Sequence, residues 1–136
     1  MGLGAEGDVG DVPRLSSVEY ESLVGGIREI VHRVVPVNAG VLVVSKGDEE
    51  LLRLGPRQAM HFPQTEDGKY AGYHPSDSDS AIAMVEELRE SKGADYLLLP
   101  SSSFWWLEHY DGFRLHLERN YRVSLRRDDT CLIYEL

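Results

Sequence analysis

The stretch VLVVSKGD, residues 41–48, decides the fold class of this chain. Residues 41–44 are an uninterrupted apolar run rich in β-branched side chains. Such a run predicts a strand buried on both faces, as in a parallel sheet covered by helices. Residues 45–48 are polar and contain a glycine, so they predict a turn, and residues 49–54 then predict a short helix. The stretch therefore predicts an α/β protein.

The rest of the chain alternates helical and strand-like segments around this run. Ser16 and Glu19 have the spacing of a capping box, and apolar residues at helical intervals follow until Pro36, which predicts a helix. The later predicted segments are a strand at 58–62, a polar loop at 64–78, a helix at 80–92, a strand at 96–99, short helices at 104–110 and 112–120, and a strand hairpin at 121–136. This order predicts a three-layer α/β/α sandwich, Rossmann-like, with a mostly parallel sheet and a C-terminal antiparallel hairpin.

Length and composition indicate one ordinary folded domain. The chain has 136 residues, within the usual range for a single domain, and we expect residues 16–136 to form it. Residues 1–15 are rich in glycine and acids and hold little to bury, which predicts a disordered tail or linker. The single cysteine excludes an internal disulfide and a multi-cysteine zinc site.

The charge balance argues against two classes of binding partner. Fourteen Lys and Arg against 23 Asp and Glu give a net charge of −9, which argues against nucleic acid and anionic membranes as partners. No stretch approaches the roughly 20 apolar residues of a membrane span, so we expect no membrane insertion and a cytoplasmic protein.

Candidate site residues follow from the predicted topology. In open α/β sheets, ligands bind outside the carboxyl ends of the parallel strands, so we expect the loops after three strands to converge on one rim. The candidate ligand-binding residues there are Ser45, Lys46, Gly47 and Asp48, then His61, Gln64, Tyr73 and His74, and finally Ser101, Ser102, Trp106 and Tyr110. No catalytic residue is assigned. The five histidines lack metal-binding spacing such as i, i+4, so no metal site is predicted either.

Two of these loops also allow an ordinary structural interpretation. Residues 41–54 are similar to the strand, glycine loop and helix of nucleotide and S-adenosylmethionine binders, but they hold only Gly47, and no acidic residue ends the next strand. The alternative is a plain helix start, with Asp48 and Glu49 near the positive end of the helix dipole. The serines at 101–103 suit an anion or, alternatively, an N-cap.

Aromatic and histidine residues are the other candidates. Trp105 and Trp106 are adjacent, so on a helix they point about 100° apart. We expect one to pack on the sheet and the other, assigned as Trp106, to lie with Tyr110 on the rim, where aromatic faces suit sugar or base stacking. The alternative is that all of them pack in the core. His61 and His74 can meet near Asp48 as a general base or metal ligand, or can be two unrelated rim side chains.

Three blocks carry a resemblance: VLVVSKGDEELL (41–52), HFPQTEDGKYAGYHPSD (61–77) and GADYLLLPSSSFWWLEHYDGFRLHLERNYR (93–122). Residues 41–136 resemble a poorly characterised bacterial domain that occurs in multidomain proteins, often beside glycosyltransferase domains. The resemblance implies a role in glycan or surface-polysaccharide assembly. It implies no established activity and no catalytic residues.

Two functions remain open from the sequence. The first is a non-catalytic accessory or binding domain that recognises a sugar, a sugar nucleotide or a protein partner at the rim. The second is a small or degenerate Rossmann-like transferase that binds a nucleotide sugar or S-adenosylmethionine through Ser45, Lys46, Asp48, His61 and His74. The sequence favours the first, because no motif pairs a nucleophile with a base. It identifies no cofactor.

Overall fold

The computed structural model of the protein describes residues 16–136. Residues 1–15, for which the sequence predicts a tail or linker, lie outside the described residues. The helices are α1 (Ser17–Val34), α2 (Ser78–Ser91), α3 (Trp105–His109) and α4 (Asp111–Asn120), and the strands are β1 (Gly40–Val43), β2 (Gln58–His61), β3 (Tyr96–Pro100), β4 (Arg122–Arg127) and β5 (Cys131–Glu135). Two 3₁₀ helices, Glu49–Leu52 and Ser101–Ser103, follow β1 and β3. The predicted order of helices and strands is confirmed.

The five strands form one mixed sheet in the order β2-β1-β3-β5-β4. Strand β1 pairs in parallel with β2 and β3, whereas β5 is antiparallel to both β3 and β4. The α/β class and the antiparallel C-terminal strands agree with the sequence prediction. The prediction of a mostly parallel sheet is too strong, because β5 pairs directly with the middle strand β3 and makes two of the four pairings antiparallel.

Helix α1 begins as its sequence predicts. The Oγ of Ser16 accepts the N–H of Glu19 at 3.1 Å, and the N–H of Ser16 donates to the Glu19 carboxylate at 2.9 Å, so the capping box is complete. The residues that α1 buries are Leu23, Val24, Ile27, Ile30 and Val31. The helix stops just before Pro36, whose ring cannot continue a helical hydrogen-bond ladder.

Strand β1 and Val44, which directly follows it, divide their side chains between two hydrophobic clusters. Val41 and Val43 belong to the cluster that contains the buried residues of α1. Leu42 and Val44 belong to the other cluster, which contains buried residues of α2, α3 and α4. Because successive side chains of a strand point to opposite faces, helices cover β1 on both sides. All four residues of the strand are buried, as the apolar run predicts.

Trp106 and Tyr110 are core residues, which corrects their assignment to the rim. Their side chains are only 1% and 2% exposed, and both pack with Phe113 in the cluster that contains α2, α3 and α4. Tyr110 directly follows α3 and donates its N–H to the Trp106 carbonyl at 2.8 Å, which brings the two side chains to the same side of the helix. The Tyr110 hydroxyl also donates to the carbonyl of Pro75 at 2.6 Å. Trp105 is the partly exposed member of the tryptophan pair.

Some element boundaries differ from the prediction. The helix expected at 49–54 is the shorter 3₁₀ helix Glu49–Leu52. Helix α2 begins at Ser78 instead of 80, because the Asp77 side chain caps it by accepting the N–H of Ser80 at 2.8 Å. Of the helices in residues 16–136, none combines the length and the apolar composition that a membrane crossing needs.

Candidate functional site

Parts of all three predicted loops lie together at one edge of the sheet. Strands β1, β2 and β3 run in the same direction, so the segments that follow them leave from the same edge, here called the carboxyl edge. Ser45, which follows β1, reaches His61 at the end of β2 and shares a cavity with Ser102, which follows β3. The carboxyl edge is therefore the candidate site.

A chain of hydrogen bonds links Ser45, His61 and Glu49 at this edge. The Oγ of Ser45 lies 2.6 Å from Nδ1 of His61, and Nε2 of His61 lies 2.9 Å from Oε2 of Glu49. Ser45 and His61 are buried, whereas the Glu49 side chain is 77% exposed. The chain thus runs from the interior of the protein to solvent.

In the turn after β1, Ser45 accepts hydrogen bonds from its own loop. Lys46 and Gly47 have positive φ values of 54° and 86°. This turn lets the Oγ of Ser45 accept the Gly47 N–H at 3.1 Å, while the Ser45 carbonyl accepts the Asp48 N–H at 3.0 Å. A Cβ atom at Gly47 would lie 2.9 Å from the Tyr70 ring. Glycine is therefore required both by its φ and by the approach of Tyr70.

The backbone amides of this loop do not fit a phosphate group. A glycine-rich phosphate loop works by presenting free N–H groups to its ligand. Here the N–H groups of Gly47 and Asp48 both bond to Ser45, and the N–H of Glu50 donates to Oδ1 of Asp48 at 2.9 Å. Residues 41–54 therefore share a strand and a turn with nucleotide and S-adenosylmethionine loops, but the N–H groups of Gly47, Asp48 and Glu50 are not free to bind a phosphate.

A cavity of about 210 Å³ opens beside Ser45, between the loop after β1, the start of α1 and the 3₁₀ helix Ser101–Ser103. We call it the Ser45 cavity. The polar residues that line it are Tyr20, Ser45, Lys46, Asp48, Ser102 and Ser103. Four of these six carry a hydroxyl group, so the wall is rich in groups that both donate and accept hydrogen bonds.

Tyr20 and Asp48 form one side of the Ser45 cavity. The Tyr20 hydroxyl donates to Oδ2 of Asp48, and the two residues lie 28 positions apart in the chain. Burial, the hydrogen bond to Asp48 and the negative charges of Asp48 and Glu50 raise the pKa of Tyr20 well above its ordinary value. The phenol therefore keeps its proton at neutral pH and stays a donor to Asp48.

The hydroxyl group of Ser103 is buried. Its side chain is 0% exposed, and its Oγ makes no hydrogen bond to any residue within 16–136. A buried hydroxyl left in this state costs about 1–3 kcal/mol. The interpretation of the three serines as N-caps is wrong, because the cap positions are Pro100 and Phe104 and neither helix has a side-chain cap bond. Ser101 instead donates its N–H to the Thr130 carbonyl at 2.9 Å.

The remaining predicted residues have other surroundings. The Gln64 side chain donates to the His61 carbonyl at 2.8 Å and lines a second cavity, against α2. Tyr73 is 59% exposed. His74 packs edge-on against Trp105, with ring centroids 4.9 Å apart. His61 and His74 therefore belong to different clusters of side chains.

The sequence does not identify Tyr20 and Glu49 as site residues, and it gives Ser103 only as one of three adjacent serines that suit an anion. Tyr20 lies four positions before Val24, which α1 buries, so helical periodicity predicts that the two side chains share one face of the helix. The contact of Glu49 with His61 exists because β2 pairs with β1, and no local pattern encodes that pairing. Because three serines are adjacent, the sequence does not show which of their hydroxyls is buried.

The order of hydroxyl, imidazole and carboxylate in Ser45, His61 and Glu49 is the order used in nucleophilic catalysis. In this chain Ser45 is 1% exposed and its Oγ already accepts the N–H of Gly47. The three side chains therefore hold the loop after β1 against β2, and of the three Ser45 lines the Ser45 cavity. Across residues 16–136, no three His, Cys, Asp or Glu side chains form a group that could hold a metal ion.

Comparisons with protein-family models, with curated proteins and with solved structures find no match to this chain.

Proposed function

We propose that this chain is a non-catalytic accessory binding domain of bacterial glycan or polysaccharide assembly, and that it binds a sugar in the Ser45 cavity. The resemblance of residues 41–136 to a domain found beside glycosyltransferase domains supports the link to glycans. The helical cover on both faces of the sheet supports a Rossmann-like three-layer frame, whose carboxyl edge is the usual place for a ligand. In this role the domain recognises a sugar in the cytoplasm and leaves group transfer to a neighbouring domain.

The hydroxyl of Ser103 is the observation that carries this proposal. It is buried and has no partner within residues 16–136, and Ser103 lines the Ser45 cavity. Buried polar groups in folded proteins are almost always hydrogen-bonded, to protein, to ordered water or to a ligand, so the Ser103 hydroxyl has the capacity to bond a group from outside the chain. A sugar hydroxyl supplies such a partner, since it can donate to or accept from a serine.

The volume of the Ser45 cavity favours a single sugar ring. Pockets for drug-sized ligands and cofactors measure roughly 300–1,000 Å³, and this cavity measures about 210 Å³. A nucleotide sugar adds a base, a ribose and a diphosphate to the sugar. The diphosphate would also need free backbone N–H groups, and those of Gly47 and Asp48 are bonded to Ser45.

A small or degenerate Rossmann-like transferase is the competing function. The hydrogen-bonded chain of Ser45, His61 and Glu49 favours it, because a histidine placed between a hydroxyl and a carboxylate can move a proton. The burial of Ser45 and the engaged amides of its loop favour the binding domain.

Calorimetric titration of the whole chain separates the two functions. The ligands are neutral mono- and disaccharides, nucleotide sugars and S-adenosylmethionine. We expect a neutral sugar to bind without turnover, and Ser103→Ala to weaken that binding about 2- to 10-fold through the loss of one hydrogen bond. The matched control is Ser124→Ala, which removes an exposed hydroxyl on β4 and should leave the affinity unchanged.

Two results contradict the proposed function. One is binding of a nucleotide sugar or S-adenosylmethionine that Gly47→Val abolishes, which identifies the transferase. The other is the absence of binding to all three ligand classes, which leaves a protein as the partner.

A further inference from the structure

We infer that the edge strand β4, Arg122–Arg127, binds an acidic extended segment of a partner protein, which adds to the sheet as a further strand. The inference is independent of the sugar site, because no residue of β4 lines the Ser45 cavity. It follows from the position of β4 in the sheet and from the charge that the strand carries.

Strand β4 forms one of the two edges of the sheet. It pairs with β5 on one side only, and five of its six residues are exposed. The N–H and C=O groups of alternate residues in such a strand face away from its neighbour. Outside the sheet itself, residues 16–136 make one backbone hydrogen bond to β4, from the Thr130 N–H to the Arg127 carbonyl in the turn to β5. The outer side of β4 is therefore open to another strand.

The charge at β4 is opposite to that of the whole chain. Residues 119–127 hold four of the 14 Lys and Arg and none of the 23 Asp and Glu, within a protein of net charge −9. The four arginines are all exposed and are Arg119, Arg122, Arg126 and Arg127. An acidic segment is attracted to this edge and repelled by the acidic remainder of the protein, which directs it to β4.

Two of the four arginines have an acidic neighbour within the chain. Nη2 of Arg122 lies 3.6 Å from Oε1 of Glu135, and Nε of Arg126 donates to Oδ1 of Asp128 at 2.8 Å. These ion pairs are exposed to solvent, so each is weak and leaves the guanidinium able to meet a further carboxylate.

The other two arginines make no ion pair within residues 16–136. Arg119 lies in the last turn of α4, and Arg127 is the last residue of β4. Val123, near the start of the strand, is 44% exposed and offers an apolar contact beside these charges. The segment that fits the edge therefore combines several carboxylates with an apolar side chain.

A second copy of this chain does not fit the same edge. In an antiparallel pairing of two β4 strands, Arg122 of each copy would lie opposite the arginines at 126 and 127 of the other, and like charges placed opposite each other destabilise a sheet. The register shift between Val123 and Leu125 also makes the edge irregular, and charges and bulges are what prevent edge strands from pairing with their own kind. The arginines that disfavour a second copy favour an acidic strand.

The test adds an acetylated and amidated peptide, Glu-Thr-Glu-Val-Glu-Thr-Glu, to the ¹⁵N-labelled full chain. We expect saturable chemical-shift changes at the N–H groups of β4 and slower hydrogen exchange at alternate residues of that strand. The control is the same peptide with every backbone amide N-methylated, which keeps all the charges but has no N–H to donate. It should bind at least about 5-fold more weakly. Equal binding of the two peptides would show attraction by charge alone and would overturn the inference.

The arginines are tested by substitution. Arg127→Gln should weaken binding of the peptide about 2- to 5-fold, because it removes one pair of opposite charges across the strands. Arg33→Gln is the matched control, since Arg33 is an exposed arginine of α1 that likewise makes no ion pair within residues 16–136, and it should leave the affinity unchanged. Equal effects of the two substitutions, or no binding of the peptide to the original chain, would contradict a site at β4.

Three further results would assign the edge to another occupant and overturn the inference. The first is a dimer of the chain alone that Arg127→Gln strengthens. The second is an oligothymidylate of equal charge that binds β4 as tightly as the peptide does. The third is a change in the β4 shifts of the chain alone when the acids at 6, 8 and 11 are replaced by their amides, which identifies residues 1–15 as the occupant. None of these results bears on the Ser45 cavity.

Discussion

The Oγ of Ser45 lies 2.6 Å from Nδ1 of His61, although the two residues are 16 positions apart in the chain. The contact joins the loop after β1 to the last residue of β2, and both side chains are buried. It is therefore a link between two parallel strands at the edge where a ligand would enter, and it fixes the wall of the Ser45 cavity.

Removing this link should destabilise the protein. In His61→Ala the buried hydroxyl of Ser45 loses its hydrogen bond to the imidazole and keeps only the one from the Gly47 N–H, which costs about 1–3 kcal/mol, and the missing ring leaves a void. Urea denaturation of the variant and of the original chain measures the difference in the free energy of unfolding. His32→Ala is the control, since His32 is exposed on α1, and it should change that free energy by less than about 0.5 kcal/mol. Equal losses in the two variants would contradict a structural role for the link.

Gly47→Ala should cost more stability than Gly72→Ala. The two glycines have similar φ values, 86° and 88°, so the backbone strain of an added Cβ is nearly matched. Only at Gly47 does that Cβ meet another atom, 2.9 Å away in the Tyr70 ring. Thermal and urea unfolding of both variants gives the comparison.

The Tyr70 ring can be tested as the cause of that difference. In a Tyr70→Ala background the extra cost of Gly47→Ala should disappear, because the clash has been removed. If the cost of Gly47→Ala is the same with and without the ring, steric contact with Tyr70 is not what requires a glycine at this position.

Trp106→Ala should lower the free energy of unfolding by about 3–5 kcal/mol, the usual loss for a large aromatic side chain in a core. Trp106 is 1% exposed and packs against Phe62, Tyr110 and Phe113. Trp105→Ala is the matched control and should cost less, because Trp105 is only partly buried. A Trp106→Ala protein with unchanged stability and weakened sugar binding would show that Trp106 belongs to the ligand site and not to the core.

Stability should fall as the pH rises above about 10. Burial, and then the hydrogen bond to Glu86, raise the pKa of Tyr121 to about 12 from its ordinary value of 10.0. The unfolded chain therefore loses this proton at a lower pH than the folded protein does. The stabilisation is complete below pH 10 and disappears as the pH approaches 12.

Urea unfolding midpoints measured across this alkaline range test the role of Tyr121. The Tyr121→Phe variant lacks the titrating group and should show a shallower decline of stability with pH than the original chain. A decline as steep in Tyr121→Phe as in the original would show that other groups cause it.

The order of the elements is predictable from the sequence because its signals are local. The capping box of Ser16 and Glu19, the apolar run at 41–44 and the turn residues between strands act over a few positions. The pairing of β5 with β3 is not local, because it joins residues more than 30 positions apart, and it makes the sheet less parallel than predicted.

The position of the site in the fold can be predicted from the sequence, but the side chains that form it are harder to predict. The rule that loops gather at the carboxyl ends of parallel strands correctly brings Ser45, His61 and Ser102 to one edge. The choice between Trp105 and Trp106 depends on how α3 is rotated against the sheet, which two adjacent aromatic residues do not specify. The bond between Tyr20 and Asp48 spans 28 positions and likewise has no local signature.

Amide chemical-shift mapping tests the sugar site most directly. A neutral monosaccharide is added to the ¹⁵N-labelled chain, and the chemical shift of every backbone N–H is followed. The account predicts saturable shifts confined to residues around the Ser45 cavity, at 45–48 and 101–103 and near Tyr20, with Ser124 on β4 unchanged. Saturable shifts centred instead on Trp105 and His74, or no shifts at any residue, would contradict it.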